Sequence, residues 1–272
     1  CTARSTAWSS SAYALLDQAV ERAVQRVEPR LRQAGDYPRR YHKAIARALE
    51  YAQDLARAIP GPVEMRPELF GRDPFIHALF GSAEQMQRAL CMSHAMHEYA
   101  RRPGGPGTDA YALMGMRRRE KTAFGMETAG EVIRREVAQR VVCFTDHTLS
   151  GPAPTEAEAR QLLAWNLFDS LVERVAERVA ERQRTRQELQ KEKDYLMAQL
   201  RSAGLERRAA LQQRLDALLA DLAQAHTALE LRHLAADFDA VLLAPERHLS
   251  LEHVTLRLDG MGVLRTDTGD AN

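Results

Sequence analysis

The sequence predicts a mainly α-helical protein with a small β-sheet, an α+β chain. Three observations carry that reading. From Thr155 to about Leu243 there are almost no helix breakers, and apolar residues recur every three or four positions, the period of a helix. Charged residues make up 28% and aromatics 6%, the balance of chains rich in long helices and coiled coils. Between the proline–glycine clusters at 103–107 and 151–154 the pattern changes to short β-branched and alternating runs, which read as strands.

Residues 1–10 are small and polar and read as a frayed end. Tyr13, Leu16, Val20, Val24, Val27 and Leu31 form the apolar stripe of a first helix. Pro29 lacks the amide that would bond back to Gln25, so a kink or an early end is expected there. Pro38 suits the first turn of a second helix, whose stripe is Tyr41, Ile45, Ala48, Leu49, Ala52, Leu55 and Ile59. Ile59-Pro60-Gly61-Pro62 ends it, and the two helices are expected to pack as a hairpin. Asp73 caps and Pro74 starts a short helix, with Phe75, Ile76 and Phe80 expected to be buried against the helical pair. Ser82 and Gln85 make a capping box, with Gln85 reaching back to the Ser82 amide. The box opens a third long helix that runs to about Arg102, with Met86, Leu90, Met96 and Tyr99 in the core.

After the Pro103–Gly107 linker, 111–116, 122–126 and 141–145 read as three strands. Arg117-Arg118-Arg119-Glu120 is expected to turn between the first two, and 129–140 to be a short helix or a long loop. Gly151–Pro154 marks a further break, and Thr155 with Glu158 makes a second capping box. Phe168, Val172, Val175, Val179, Arg182, Arg186, Leu189, Lys193, Leu196 and Leu200 alternate four- and three-residue steps, a heptad seam. The three cations leave its middle poorly apolar. Leu211, Leu215, Leu218, Leu222, Ala225, Leu229 and Ala236 continue these steps beyond Gly204. We read 155–243 as a long antiparallel helical hairpin turning at Gly204. Pairing about that glycine sets Leu196 opposite Leu211, Leu189 opposite Leu218 and Arg186 opposite Asp221. Each arm of about forty residues would reach ~60 Å. One continuous helix is the alternative, since a single interior glycine costs only about 1 kcal/mol, but its uncovered seam would need a partner chain. The alternation of Val254, Leu256 and Leu258 reads as a last strand, joining those before the hairpin in a sheet of three or four. The resulting division is a helical part at 1–102, a β part at 108–150 plus 246–265, and the coiled-coil hairpin at 155–243. Residues 266–272 read as disordered.

Lys+Arg of 38 against Asp+Glu of 37 leaves a net charge of +1, which argues against a dominant polyanion-binding role. The only lysines are Lys43, Lys121, Lys191 and Lys193. We read the arginine bias as the codon composition of a GC-rich bacterial genome. Cys1, Cys91 and Cys143 form neither a disulfide framework nor a zinc signature. A reducing cytoplasm is the simplest setting, with a lipoprotein anchored at Cys1 as the alternative for a chain that starts at cysteine. No apolar run approaches the roughly 18–20 residues that span a bilayer.

Candidate sites are sparse. Cys91, His94 and His97 are the metal candidates. On one helix, Cys91 and His97 would lie about 240° apart, so the three could not converge, and no fourth ligand is identifiable. Asp146-His147 near Cys143 suggests acid–base or thiol chemistry, but neighbours in a strand face opposite sides. Arg117, Arg118, Arg119 and Lys121, with Arg134 and Arg135, make a basic patch interleaved with Glu120, Glu127, Glu131 and Glu136. Gly104, Gly105 and Gly107 do not follow a strand and open a helix, so they are no phosphate loop. The methionines read as core filling.

Glu120–Glu127, Val141–His147 and Leu256–Gly262 are similar to segments of uncharacterised bacterial coiled-coil proteins. The resemblance spans the C-terminal 160 or so residues. It implies a bacterial source and one module for these segments, and brings no activity, cofactor or catalytic residue. We therefore expect a non-enzymatic scaffold or interaction protein that takes another protein at its hairpin, through Arg201, Leu205, Glu206, Arg207 and Arg208. Self-association through the coil is the further partner reading, and no cofactor is expected. The alternatives are a nucleic-acid-associated protein using 117–135 and, last, an enzyme.

Overall fold

The computed structural model describes residues 10–102, 109–129 and 132–265, with side chains from Tyr13 onward and, in the strands, up to Phe124 and again from Val137. The expectations for residues 1–9, the 103–107 linker and the 266–272 tail fall outside that set, as do the side chains of Met126, Arg134 and Arg135. The fold is mainly helical, with one two-stranded antiparallel sheet. In chain order come α1 (Ser10–Val27), α2 (Arg39–Ala58), α3 (Pro74–Leu79), α4 (Ala83–Cys91) and α5 (His94–Ala100). Then follow β1 (Tyr111–Ala129), β2 (Val132–Ala153), α6 (Glu156–Ser202), α7 (Leu205–Thr227) and α8 (Leu231–Leu242). They divide between two compact units: the residues up to Ala56 with Ala164–Ser250, and Arg57–Leu163 with the residues from Leu251.

The first unit is a helical bundle. Leu16, Val20 and Val24 of α1, Tyr41, Ile45 and Ala48 of α2, Phe168, Leu171, Val172, Val175 and Val179 of α6, and Leu234, Phe238, Val241 and Leu242 of α8 form one buried core. α1 ends at Val27, two residues before Pro29, and the Glu28 carboxylate caps the 3-10 turn Pro29–Gln33 that follows. The first four apolar seam positions of α6 are thus covered by α1 and α2 as well as by α8 of the return arm. Ion pairs edge this packing: Arg22 forks both oxygens of Asp169, and Arg26 reaches Glu173 at 2.6 Å.

Farther along α6 the cover changes. Leu196 packs with Leu215 and Leu218, and Leu189, Leu200 and Leu211 complete the cluster. Arg214 reaches across from α7 to Glu192 at 2.7 Å. The two helices fold back on one another at Ala203-Gly204, as a hairpin requires. Two expectations change. The return arm is not one helix: it breaks between Thr227 and Leu231, without glycine or proline, where Leu229 and Leu234 enter the bundle core. Arg186 is exposed and does not meet Asp221. Arg182, one turn earlier, is the cation drawn inward. It donates to the Ala228 carbonyl at 2.7 Å and to Asp237 at 2.9 Å.

The second unit is built on the strands, and here the expected three- or four-stranded sheet is corrected to two long strands. Arg117–Glu120 lies within β1, paired with 142–145, and is not a turn. Its charges sit on an open ribbon and so cost no burial. The segment 132–140 belongs to β2 and is not helical, in keeping with β-branched Val132, Ile133 and Val137. Register shifts fall between Tyr111 and Leu113, Gly115 and Arg117, and Gly125 and Glu127, each giving β2 one extra residue, as β-bulges do. Gly151 (φ 60°) and Asp146 (φ 55°) occupy two of them in the left-handed region. Residues 253–258 are not a strand: Val254 is 53% exposed. The chain instead touches β2 a few residues later, where Val142 donates to the Gly262 carbonyl at 2.9 Å and Leu264 to Arg140 at 2.8 Å.

The expected third helix is two, α4 and α5, parted at Met92-Ser93. Asp73 and Ser82 cap α3 and α4 as expected, but the Gln85 side chain accepts from Gly81 at 2.8 Å, not from Ser82. Ile76, Leu79, Phe80 and Met86 are buried against Met114, Met116 and Phe144 of the strands, where the helical pair was expected. Phe75 was expected in that core but is 54% exposed.

Candidate interaction site at the helix turn

The turn between α6 and α7 is the place where the named candidates come together. Gly204 caps α7 with its backbone alone, since it has no side chain to accept from the first amides. Arg207 and Arg208 donate their amides to the Gly204 carbonyl at 3.1 and 3.2 Å. Arg201, Leu205, Glu206, Arg207 and Arg208 are all exposed, and Leu205 is 88% exposed. None of Arg201, Arg207 and Arg208 has a carboxylate within ion-pair distance among the described residues. Arg214 by contrast spans the arms to Glu192. Sequence reasoning missed Tyr195 (63% exposed) and Met197 (41% exposed) on α6 nearby. The signal was present, since both fall off the seam that Leu196 and Leu200 define.

The other candidates do not converge. Cys91 ends α4, while His94 and His97 lie on α5, and all three are exposed. No group of three or more His, Cys, Asp or Glu side chains able to hold a metal occurs among the described residues.

The basic patch is spread over the two faces of the ribbon, because alternate strand residues point to opposite sides. On one face Arg118 pairs with Glu120 at 2.7 Å, and Arg140 meets the same carboxylate. These bonds, that of Arg140 foremost, hold the Glu120 carboxyl below its ordinary value. On the other face Arg117 and Arg119 lie 3.7 and 3.6 Å from Asp146, and Arg119 donates to Thr145 at 3.1 Å. Lys121 is exposed.

Asp146 and His147 part company at the bulge. The left-handed backbone at Asp146 turns its carboxylate toward the arginines. His147 instead meets the Leu79 carbonyl at 2.8 Å and stacks on Phe80 with ring centroids 4.6 Å apart. The histidine therefore tethers α3 to β2, with no carboxylate oriented against it. Of the methionines, Met86 is core, whereas Met92 is 71% exposed.

No helix among the described residues is long and apolar enough to cross a membrane. No family model, curated protein or solved structure matches the chain.

Proposed function

We propose that this protein is a non-enzymatic scaffold that binds another protein at the turn of its α6–α7 hairpin. The observation that carries the reading is the pairing of a held base with an exposed tip. The leucines at 189, 196, 200, 211, 215 and 218 are spent on packing the arms, whereas Leu205 stands 88% exposed among charged neighbours. An exposed leucine contributes nothing to folding where it stands, and an apolar anchor ringed by polar side chains is the usual composition of a binding patch. α7 has 23 residues, so the arms carry the turn about 34 Å beyond α8 along the helix axis. The mechanism is reach: paired helices present a few side chains at a fixed distance from the bundle that holds them.

The test is a matched deletion of about residues 190–217 from both arms, bridged by a short linker. The bundle of the first unit keeps its cooperative unfolding and partner binding is lost. A shortened chain that still binds its partner, or a molten bundle, overturns the proposal.

A further inference from the structure

We infer that the partner at the turn presents a carboxylate-rich protein surface around an apolar socket; this rests on the turn being the docking site. Along the hairpin, Arg182, Arg184 and Arg214 each have a carboxylate at ion-pair distance, on Asp237, Glu181 and Glu192. Arg178, Arg186 and Lys191 are exposed without one, but they are spread along α6 with Glu181 and Glu188 between them. At the turn three unpaired arginines, Arg201, Arg207 and Arg208, fall within eight residues with Glu206 as the only acid. Two of them occupy the first turn of α7. That is the end of a helix where cations are disfavoured by the macrodipole, so helix stability does not account for them. Their forks match carboxylates in two-point geometry, and an interface charge of this kind speeds encounter and sets the choice of partner. Leu205 lies between Arg201 and Arg207 in the chain and is the one large apolar side chain of the turn. A polyphosphate backbone has no use for that leucine and is repelled by Glu206. An acidic protein surface with an apolar socket uses every one of these groups.

The experiment places a photocrosslinking amino acid at exposed Ala209 of the full chain in its source cell, then sequences what is joined to it. The expected product is a protein segment in which Asp and Glu outnumber Lys and Arg. The combined variant Arg201→Glu, Arg207→Glu, Arg208→Glu is expected to lower the yield about tenfold or more, while the same three positions changed to Lys retain most of it. Both variants keep the parent's fold and its cooperative thermal transition, because the side chains they replace are exposed and unpaired. A crosslinked segment without acidic excess, or a yield unmoved by charge reversal, overturns the carboxylate inference and leaves the turn as a docking site. Crosslinks only to nucleic acid or lipid, or none at all, overturn both.

Discussion

Arg182 is the long-helix cation that the fold takes inside, and Asp237, 8% exposed, is the buried carboxylate it meets. One Asp237 oxygen accepts at 2.9 Å. The other is equally near the same nitrogen but off the line of its hydrogens, and has no hydrogen-bond partner. The second guanidinium arm holds the Ala228 carbonyl, at the point where α7 ends. Removing one member of a buried pair leaves the other uncompensated. Arg182→Ala is therefore expected to cost about 3 kcal/mol in urea unfolding, the low end because the guanidinium is partly exposed. Changing both residues to apolar ones should restore part of that; a double-mutant cycle without coupling would contradict the pairing.

A second cluster of residues sets a pH dependence. The Tyr37 hydroxyl, and after it Arg32, hold the Glu21 carboxyl below its ordinary value. Burial, and then that same carboxylate, push Tyr37 up to about 12. A carboxyl depressed in the folded state stabilises it above the unfolded value of 4.5, and that contribution is lost as pH falls through the folded one. The raised tyrosine works in the other direction: its contribution is complete below the unfolded value of 10 and is lost as pH rises toward 12. Burial also raises Tyr41, so a tyrosinate absorbance titration should show a late step that loses one tyrosine's amplitude in Tyr37→Phe.

Among the elements, the C-terminal turn shows how a segment docks without becoming a strand. The Asp259 carboxylate accepts from the Met261 and Val263 amides, both at 2.9 Å, and pairs with Arg265 at 2.9 Å. Burial alone would raise its pKa, but those donors bring it below the ordinary value. Gly262 follows at φ +77°, where an added Cβ would stand 2.9 Å from the Val142 carbonyl oxygen. Gly262→Ala is thus strained in its backbone and blocked by a neighbour. It should cost about 1–3 kcal/mol and speed hydrogen exchange at the Val142 amide, which donates to the Gly262 carbonyl. An unchanged exchange rate there would show that the turn is not held by this contact. At the same scale, the bulge between the Thr145 and Thr148 pairings places Asp146 in the left-handed region, where its carboxylate reaches Arg117 and Arg119.

At the scale of the whole molecule, α6 serves two kinds of packing in one continuous helix. Its Phe168–Val179 stretch is sealed by three other helices, and its Leu189–Leu200 stretch by α7. The two should differ in stability. Phe168→Ala should lower global stability by about 3–5 kcal/mol. Leu196→Ala with Leu218→Ala should instead raise hydrogen exchange in the hairpin while the bundle stays protected. Equal loss of protection in both regions would mean that bundle and hairpin melt as one.

The sequence by itself determined the predominance of helix, the starts of α2, α3, α4 and α6, the end of α1, and the hairpin turn. These rest on local chemistry: Pro29 removes a donor, Asp73, Ser82 and Thr155 cap, and Gly204 interrupts a leucine repeat. The residues at the hairpin turn were legible for the same reason, since a position off the seam beside a helix end has little to bury against. Tertiary structure alone decided which partner covers which stripe. The four-and-three steps of α6 read alike before and after Arg182, yet one half meets α1, α2 and α8 and the other meets α7. The spacing does not distinguish them, because an apolar stripe specifies that it must be buried and not by what. The same holds for the ribbon. Arg117–Glu120 looks like a turn by composition, but cross-strand hydrogen bonds to 142–145 keep it extended, and those bonds join residues far apart in the chain.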